Sequence, residues 1–200
     1  MGTGGHAKVV YEALMAGGVS ANSVMLSDHQ ASQLDHFFKD LSVQTPEFPE
    51  GMQPELFHVA IGDNSIRFEL TMQGIKNGWA GKAIVHPRAD VSPSAKFESA
   101  SFAAGGAIVA ANARIGQGCI LNHNSVTDHD CVIGDFCHIA PGAILGGGVQ
   151  IGDLSLIGSG AVILPGMKIG RNAVVGAGSV VTKTMPDEAV WIGAEMAKQT

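Results

Sequence analysis

The sequence predicts a parallel β-solenoid, on the evidence of three regularities between Val85 and Val181. Every sixth residue is aliphatic or small, a second series four places later is small at nearly every position, and Gly often follows the aliphatic position. The central part of the aliphatic series runs Val109, Ile115, Leu121, Thr127, Ile133, Ile139 and Leu145. A period of six fits neither an α-helix nor a hairpin sheet, but it is the signature of a β-helix.

The period also predicts the shape of the coil. One hexad forms one short strand and three hexads complete a triangular coil, so residues eighteen apart stack at the strand spacing of about 4.8 Å. We expect the aliphatic residue to fill the interior and the small residue to lie at a tight corner, where Gly relieves the backbone.

The N-terminal part of the chain has a different pattern, in which helices and strands alternate. Helical spacing follows the Gly4-Gly5 turn as far as Gly17. Later elements are predicted as strands over Ser23–Asp28 and Leu56–Ile61, helices over Gln30–Asp40 and Ser65–Asn77, and a loop over Ser42–Pro54. This alternation predicts a small parallel, Rossmann-like sheet. We therefore divide the chain into an α/β domain over residues 1–82 and a β-helix domain over residues 83–200.

A ligand mouth is expected at the carboxyl ends of these strands. The residues predicted to meet there are Gly4, Gly5, His6, Asp28 and Gly62. A Gly-rich turn before a helix suits an anion, because free backbone N–H groups and the helix dipole point at it. Such a turn normally follows a strand, so we expect the first strand either to be missing or to be replaced by a different construction. For Asp28, a helix cap or a turn residue is an equally good interpretation.

Composition excludes several classes of partner. The net charge is −6, the isoelectric point is about 5.7, and no Lys/Arg cluster occurs, which argues against nucleic acid and anionic membranes. No apolar stretch has transmembrane length and no signal-peptide pattern is present. Cys119, Cys131 and Cys137 all fall in the small series, which favours interior fillers over a metal or redox cluster and fits a reducing cytoplasm.

Three histidines, His123, His129 and His138, are the candidates for chemistry in the solenoid. In the Asp128-His129-Asp130 stretch an imidazole is flanked by carboxylates that raise its basicity or fix its tautomer. Those are the properties of a general base. A solvated surface residue or a subunit contact is the alternative for each of the three.

Three stretches resemble a known family. Residues Leu121–Gly142 resemble the active-site coils of sugar acetyltransferases of the sialic-acid O-acetyltransferase and bacillosamine N-acetyltransferase type. Gly2–Lys8 resembles the nucleotide-sugar turn of that family, and Ala60–Asn64 is similar to its second substrate segment. The resemblance covers essentially the whole chain. It implies a left-handed β-helix, a homotrimer, and acetyl-CoA lying between neighbouring prisms, with no metal.

The resemblance also implies roles for individual residues. His129 takes the place of the general base, and Asp130 that of its acidic support. His138 is similar to the histidine at the acetyl-CoA thioester, and Ser159 and Ala177 occupy positions that approach the cofactor through backbone groups. The substrate side is matched by Gly4, Gly5, His6, Asp28 and Gly62. The C-terminal residues 193–198 lack the family's Pro before its final Ala-Lys, which we expect to loosen the tail over the cofactor.

Four functions follow from this reading. N-acetylation of a UDP-linked 4-amino-4,6-dideoxy sugar for bacterial surface glycan synthesis is favoured by the Gly-Gly-His turn, and O-acetylation of sialic acid or a related sugar is the alternative. A γ-type zinc carbonic anhydrase would need three converging histidines, but the histidine spacing does not resemble that family's. A non-catalytic trimeric scaffold would leave the Asp-His-Asp stretch unexplained.

Overall fold

The computed structural model describes residues 1–29, 36–38, 41–49, 51, 54 and 56–196. It contains a left-handed parallel β-helix preceded by a small α/β unit, as the sequence predicted. The helices and strands of the α/β unit are α1 (Gly5–Ala16), β1 (Leu26–Ser27), β2 (Val43–Gln44), β3 (Leu56–Phe57), α2 (Asn64–Lys76) and β4 (Ala80–Gly81). Short 3-10 helices cover Ala21–Ser23 and His36–Phe38.

The β-helix has three faces, each a parallel sheet of short strands. The first, which we call the docked face, is formed by β5 (Ile84–Val85), β8 (Phe102–Ala103), β11 (Ile120–Leu121), β14 (His138–Ile139), β17 (Leu156–Ile157), β20 (Val174–Val175) and β22 (Val190–Ile192), with β23 (Glu195–Met196) added antiparallel. The apolar face is formed by β6 (Asp90–Val91), β9 (Ile108–Val109), β12 (Val126–Thr127), β15 (Ile144–Leu145), β18 (Val162–Ile163) and β21 (Val180–Val181). The polar face is formed by β7 (Lys96–Phe97), β10 (Arg114–Ile115), β13 (Val132–Ile133), β16 (Gln150–Ile151) and β19 (Lys168–Ile169).

Strand register confirms the eighteen-residue stacking. Leu121 lies opposite Ile139, and Ile139 lies opposite Ile157, along the docked face. These three aliphatic side chains are fully buried, and they belong to one continuous core that runs the length of the prism. The interior is therefore filled by the aliphatic series, as expected from the period.

Two features of the corners differ from our expectation. The Gly that follows the aliphatic residue does not adopt the left-handed backbone conformation. In the coils of Gly152 and Gly158 the positive φ belongs to the residue two places later, Leu154 (62°) and Gly160 (65°). Gly152 and Gly158 are required instead because a Cβ there would lie 2.6 Å from a backbone nitrogen of the next coil. The close stacking of the coils explains these glycines.

The three cysteines are buried free thiols, as predicted, and they also donate hydrogen bonds. The Sγ atoms of Cys119, Cys131 and Cys137 lie 3.0–3.2 Å from a carbonyl oxygen fifteen residues later. Ser101 and Ser155 make the same contact through Oγ at 2.7 Å. The small series is therefore defined by compact side chains, and its cysteines, Ser101 and Ser155 also satisfy a carbonyl of the following coil.

The N-terminal sheet is completed by the first two residues. The Met1 amine donates to the His58 carbonyl at 2.7 Å, and the Ala60 N–H donates to the Met1 carbonyl at 2.7 Å. On the other side, the Gly2 N–H donates to the Ser27 carbonyl at 2.8 Å. Met1 and Gly2 thus join the pair β1–β2 to the pair β3–β4, which is the different construction that the sequence left open. Burial lowers the pKa of the Met1 amine to about 6.

Several element predictions need adjustment. Both predicted strands are shorter in the structure, and Val43–Gln44 forms a strand where we predicted a loop, because a two-residue pairing is too short to produce an alternating pattern. The predicted helix over Gln30–Asp40 lies mostly outside the described residues, and 36–38 form a single 3-10 turn.

After Val181 the coil shortens: Val174 pairs with Val190, sixteen residues on, and β23 then folds back. Of the predicted tail at residues 193–198, only 193–196 are among the described residues.

The α/β unit packs on the first coils of the docked face. Ala7, Val10 and Ala13 form the buried side of α1 and belong to one cluster with Phe102 and Ile120 of the solenoid. A cavity of about 810 Å³ lies between α1, β1 and β3, and no candidate site residue is among the described residues that line it. Within the described part of the chain, no helix combines the length and apolarity needed to cross a bilayer.

Candidate functional site

His129 lies at the corner between the apolar and polar faces, directly after β12. Its Nδ1 atom is 2.8 Å from Oδ2 of Asp130, and its backbone N–H donates to Oδ1 of Asp128 at 2.7 Å. Asp130 has the left-handed φ of 60° that this corner requires. Oδ1 of Asp130 accepts a hydrogen bond from Asn112 Nδ2 at 2.6 Å. The carboxylate is therefore fixed by two donors, one of which is the imidazole.

This arrangement determines the electrostatics of the pair. The Asp130 hydrogen bond, followed by the charge of Asp128, raises the pKa of His129 above its ordinary value. The hydrogen bonds from Asn112 and His129 lower the pKa of Asp130. In the neutral ring Nδ1–H donates to the carboxylate, so Nε2 carries the lone pair. The ring is 61% exposed, which leaves Nε2 open to a substrate.

Gly147 forms the surface beneath the imidazole. A Cβ at this position would lie 2.5 Å from Nε2 of His129, so any side chain at 147 displaces the ring. The His129 carbonyl accepts from the Gly148 N–H at 2.9 Å, which stacks the two corners directly. The position of the His129 ring thus depends on a glycine, without a side chain, in the next coil.

His138 lies on the outer side of the docked face, against the α/β unit. Its Nε2 atom is 3.1 Å from Asn122 Nδ2, while Asn122 Oδ1 accepts from the His123 N–H. The amide therefore donates to Nε2, and the nearby Gly62 backbone favours the protonated form of the ring. Burial and the nearby Arg67 charge lower the pKa of His138 to about 4, so this imidazole is neutral.

His6 lies beside His138 at the start of α1. Its ring packs edge-on against Phe102 with the centroids 5.3 Å apart. Its Nε2 atom is buried and has no hydrogen-bond partner among the described residues. Burial, reinforced by His58 and His138, lowers the pKa of His6 to about 3. A buried ring nitrogen without a partner is an unmet hydrogen-bonding group on the predicted substrate side.

The Gly-rich turn is anchored to the end of β1. Thr3 Oγ1 donates to Asp28 Oδ2 at 2.6 Å, which assigns Asp28 a role in holding this turn. Gly4 is the N-cap of α1 and its carbonyl accepts from Ala7 and Lys8. Gly5 is the first residue of α1, and neither Gly4 nor Gly5 has any atom near an added Cβ. The backbone of this turn is accordingly open to a ligand.

Ser159 and Ala177 stack on one corner, between the docked and apolar faces. The Gly178 N–H donates to the Ser159 carbonyl at 2.8 Å, and His123 lies two coils earlier on the same corner. Both residues and the glycines that follow them are exposed, so this edge presents backbone with few side chains. An extended ligand can lie along such an edge in contact with peptide groups.

Within one chain, the predicted site falls into two groups. His6, Gly62 and His138 are brought together on the docked face, while His129 and Asp130 lie at the opposite edge of the apolar face. His123, His129 and His138 do not converge, and no set of three or more His, Cys, Asp or Glu side chains in the described ranges is arranged to hold a metal ion.

Sequence reasoning missed four residues at these positions: Asn112, Asn122, Gly147 and Arg67. Stacking could have found two of them, since Asn112 lies eighteen residues before Asp130 and Gly147 eighteen after His129. Asn122 and Arg67 act across elements, so no spacing rule identifies them.

Family models match along most of the chain. The PglD N-terminal domain matches residues 1–73, the bacterial transferase hexapeptide (six repeats) matches 130–165, and the hexapeptide repeat of succinyl-transferase matches 148–183. The models thus cover both the α/β unit and the coils around the candidate base.

Solved structures agree over nearly the full length. The chain is 34% identical to the acetyltransferase domain of PglB from Neisseria gonorrhoeae FA1090, covering 99% of this chain and 97% of that one with a TM-score of 0.90. It is 32% identical to a histidine-to-asparagine variant of perosamine N-acetyltransferase from Caulobacter crescentus, solved with CoA and GDP-perosamine (99% and 95% covered, TM-score 0.84). WeeI from Acinetobacter baumannii AYE is 25% identical (98% and 96% covered, TM-score 0.82).

Identity above 30% over almost all of both chains, together with the matched N-terminal and hexapeptide models, makes this chain a member of the hexapeptide-repeat sugar acetyltransferases and an acyltransferase.

Proposed function

We propose that this protein transfers an acetyl group from acetyl-CoA to the amine of a nucleotide-linked amino-sugar, and that the substrate is a UDP-4-amino-4,6-dideoxy sugar. The amine attacks the thioester carbonyl carbon, the C–S bond breaks, and the amine proton passes to Nε2 of His129 and leaves with the CoA thiolate. The products are the N-acetylated sugar and CoA.

The observation that carries this proposal is the Asn112–Asp130–His129 chain of hydrogen bonds. It fixes the neutral tautomer with the proton on Nδ1 and leaves Nε2 exposed, as removal of a proton from an amine requires. A positioned general base contributes about 10²–10⁴ in rate. Asp130 acts through the imidazole and stabilises the cation that forms.

The edge that carries Ser159 and Ala177 fits acetyl-CoA, which supplies the activated acetyl group when it is bound. Both corners are exposed and followed by Gly, so peptide N–H and C=O groups are accessible along the stack. His138 adds a neutral ring beside this edge, since its pKa is near 4. Relatives solved with CoA or acetyl-CoA bound support this assignment.

We assign nucleotide-sugar binding to residues 1–82 and acetyl-CoA binding to residues 83–200. The Gly4–Gly5 turn presents open backbone at the start of α1, where a helix dipole favours phosphate. His6 and Gly62 extend the same surface towards His138. The Caulobacter crescentus relative was solved with GDP-perosamine, which supports an amino-sugar carried on a nucleotide. A role in surface glycan synthesis follows from that class of substrate.

The apolar face supports a homotrimer. Its outward residues from β9 to β21 are aliphatic, namely Ile108, Val126, Ile144, Val162 and Val180. The polar face carries Lys96, Arg114, Val132, Gln150 and Lys168 at the equivalent positions. A continuous aliphatic stripe of exposed and half-buried side chains marks an interaction surface. Because His129 and His138 lie on different faces, a site that contains both is built from two copies of the chain.

A coenzyme A release assay tests the function. Acetyl-CoA is offered with UDP-, GDP- and dTDP-linked 4-amino sugars, each matched with the corresponding 4-hydroxy sugar, and with free sialic acid. We expect release with the amines and strongest release with the UDP sugar. Release with sialic acid and none with the amines would establish the O-acetyltransferase alternative. Absence of release with every acceptor would point to a non-catalytic scaffold.

A further inference from the structure

Helix α2 buries an arginine where a helix normally buries apolar side chains. The buried residues of α2 are Arg67, Thr71 and Gly74, and Arg67 is only 1% exposed. Its hydrogen-bond acceptors are all uncharged, and burial lowers the pKa of Arg67 to about 10. A buried guanidinium is unfavourable unless its donors are satisfied, so the position of this residue needs an explanation beyond packing.

The guanidinium bridges two parts of the molecule. Nη1 donates to the carbonyls of Ile61, Gly62 and Asp63 at 3.0–3.2 Å, within the segment that forms the predicted substrate side. Nε donates to the Gly118 carbonyl at 2.7 Å, and Nη2 donates to the Phe136 carbonyl at 3.0 Å. Further Nη2 contacts are the Cys137 carbonyl at 3.3 Å and Asn64 Oδ1 at 2.8 Å. One side chain thus ties the substrate segment to two successive coils.

Asn64 extends this connection to a third coil. Its Nδ2 atom donates to the carbonyls of Leu154 and Ser155 at 2.9 and 3.2 Å. Gly118, Phe136 and Leu154 are eighteen residues apart and stack on one corner of the prism. The N-terminal end of α2 is therefore held along three coils. These contacts fix its position along the prism axis and its rotation about the helix axis.

The clamp ends at a candidate site residue. The Gly62 backbone, whose carbonyl accepts from Arg67, also lies close enough to the His138 ring to favour its protonated form. Arg67 makes no hydrogen bond to Ser159 or Ala177, so on the acetyl-CoA side it can act only at the thioester end, through His138. Resting on the function proposed above, we propose that Arg67 is a positioning residue for acetyl transfer. Its guanidinium holds Ile61–Asp63 on the coil corners and thereby fixes Gly62 against His138.

The kinetic test uses Arg67→Lys, Arg67→Met and Asn64→Ala, with Arg114→Lys on the exposed polar face as the matched control. We expect kcat/KM for the amino-sugar to fall at least about tenfold in Arg67→Lys and further in Arg67→Met, because small displacements of reacting groups are costly. The KM for acetyl-CoA should stay within about twofold, and Asn64→Ala should show a smaller loss in the same parameter. Arg114→Lys should match the wild type.

A second measurement needs no substrate. NMR titration of the His138 ring should show its pKa rising from about 4 towards the ordinary value near 6.5 in Arg67→Met, since a neighbouring charge is removed and the ring gains solvent. Amide exchange over 61–64 should accelerate in the same variant.

The outcomes separate the two proposals. A folded Arg67→Lys enzyme with wild-type kinetics overturns the positioning role. The role is also overturned if kcat/KM falls equally for the amino-sugar and for acetyl-CoA, in step with a general fall in Tm. If the wild-type enzyme acetylates no amino-sugar, the proposed function fails, and the titration then decides alone: an unchanged His138 pKa in Arg67→Met overturns the inference.

Discussion

Nδ1 of His129 lies 2.8 Å from Oδ2 of Asp130, and the other oxygen of the same carboxylate accepts from Asn112 one coil earlier. The pair is therefore oriented by the stacking of the solenoid. The left-handed backbone of Asp130 turns its side chain back towards the imidazole. The proposed general base is thus built from one corner and supported by the preceding one.

The first prediction concerns pH. Asp130 and Asp128 raise the pKa of His129, and the base acts only when the ring is neutral, so the acidic limb of the kcat/KM profile should lie above pH 6.5. Asp130→Asn removes one carboxylate, which lowers this pKa and moves the limb to lower pH, while the plateau falls at least about tenfold because the tautomer is no longer fixed. A pH–rate profile of both enzymes checks this. A limb that stays in place would show that another group is titrating.

The second prediction concerns Gly147. Replacement by Ala places a Cβ where the His129 ring lies, and the ring can rotate away at little cost to the fold. We expect kcat to fall at least about tenfold with Tm nearly unchanged. Gly158→Ala is the contrasting variant, because its Cβ would meet the backbone of Ala177 and lower Tm. Full activity of Gly147→Ala would mean that the ring does not work from this position.

The third prediction concerns stability. Thr127 stands in the aliphatic series, fully buried, with an Oγ1 that has no hydrogen-bond partner among the described residues. Thr127→Val keeps the shape and removes the buried hydroxyl, so we expect about 1 kcal/mol of stabilisation and a Tm rise of about 2–4 °C. Ser155→Ala is the control and should lower Tm, since its Oγ donates to Gly170 and accepts from Ala173. Calorimetry that shows a lower Tm for Thr127→Val would refute this account of the core.

The fourth prediction concerns assembly. Ile144 and Val132 are 43% and 44% exposed, but Ile144 lies on the apolar face and Val132 on the polar face. Ile144→Lys should dissociate the proposed homotrimer, because a charge cannot be buried there without a partner, whereas Val132→Lys should leave it intact. Light scattering measures both. Trimers of equal mass from the two variants would place the interface elsewhere.

The sequence predicts the solenoid well and the contacts between its parts poorly. The period places Leu121, Ile139 and Ile157 in one column because each coil repeats the same local rule. The strand pairings of Met1–Gly2 and Val43–Gln44 are not predicted, because pairings of one or two residues leave no periodic signal in the sequence.

The candidate site divides in the same way. His129 and Asp130 are neighbours in sequence, so their pairing is visible in the motif. The contact of Arg67 with Gly118 and Phe136 joins residues more than fifty positions apart, and it depends on how the α/β unit docks. A buried arginine on a helix also contradicts the hydrophobic pattern from which helix faces are predicted.

The role of His129 as the general base of acetyl transfer is tested most directly by mass spectrometry of the sugar product after a fixed time with acetyl-CoA and a UDP-4-amino sugar, for wild type and His129→Ala at equal protein concentration. We expect a sugar heavier by one acetyl group with the wild-type enzyme and a rate at least about a hundredfold lower with the variant. Equal rates of acetylation by the two proteins would contradict it.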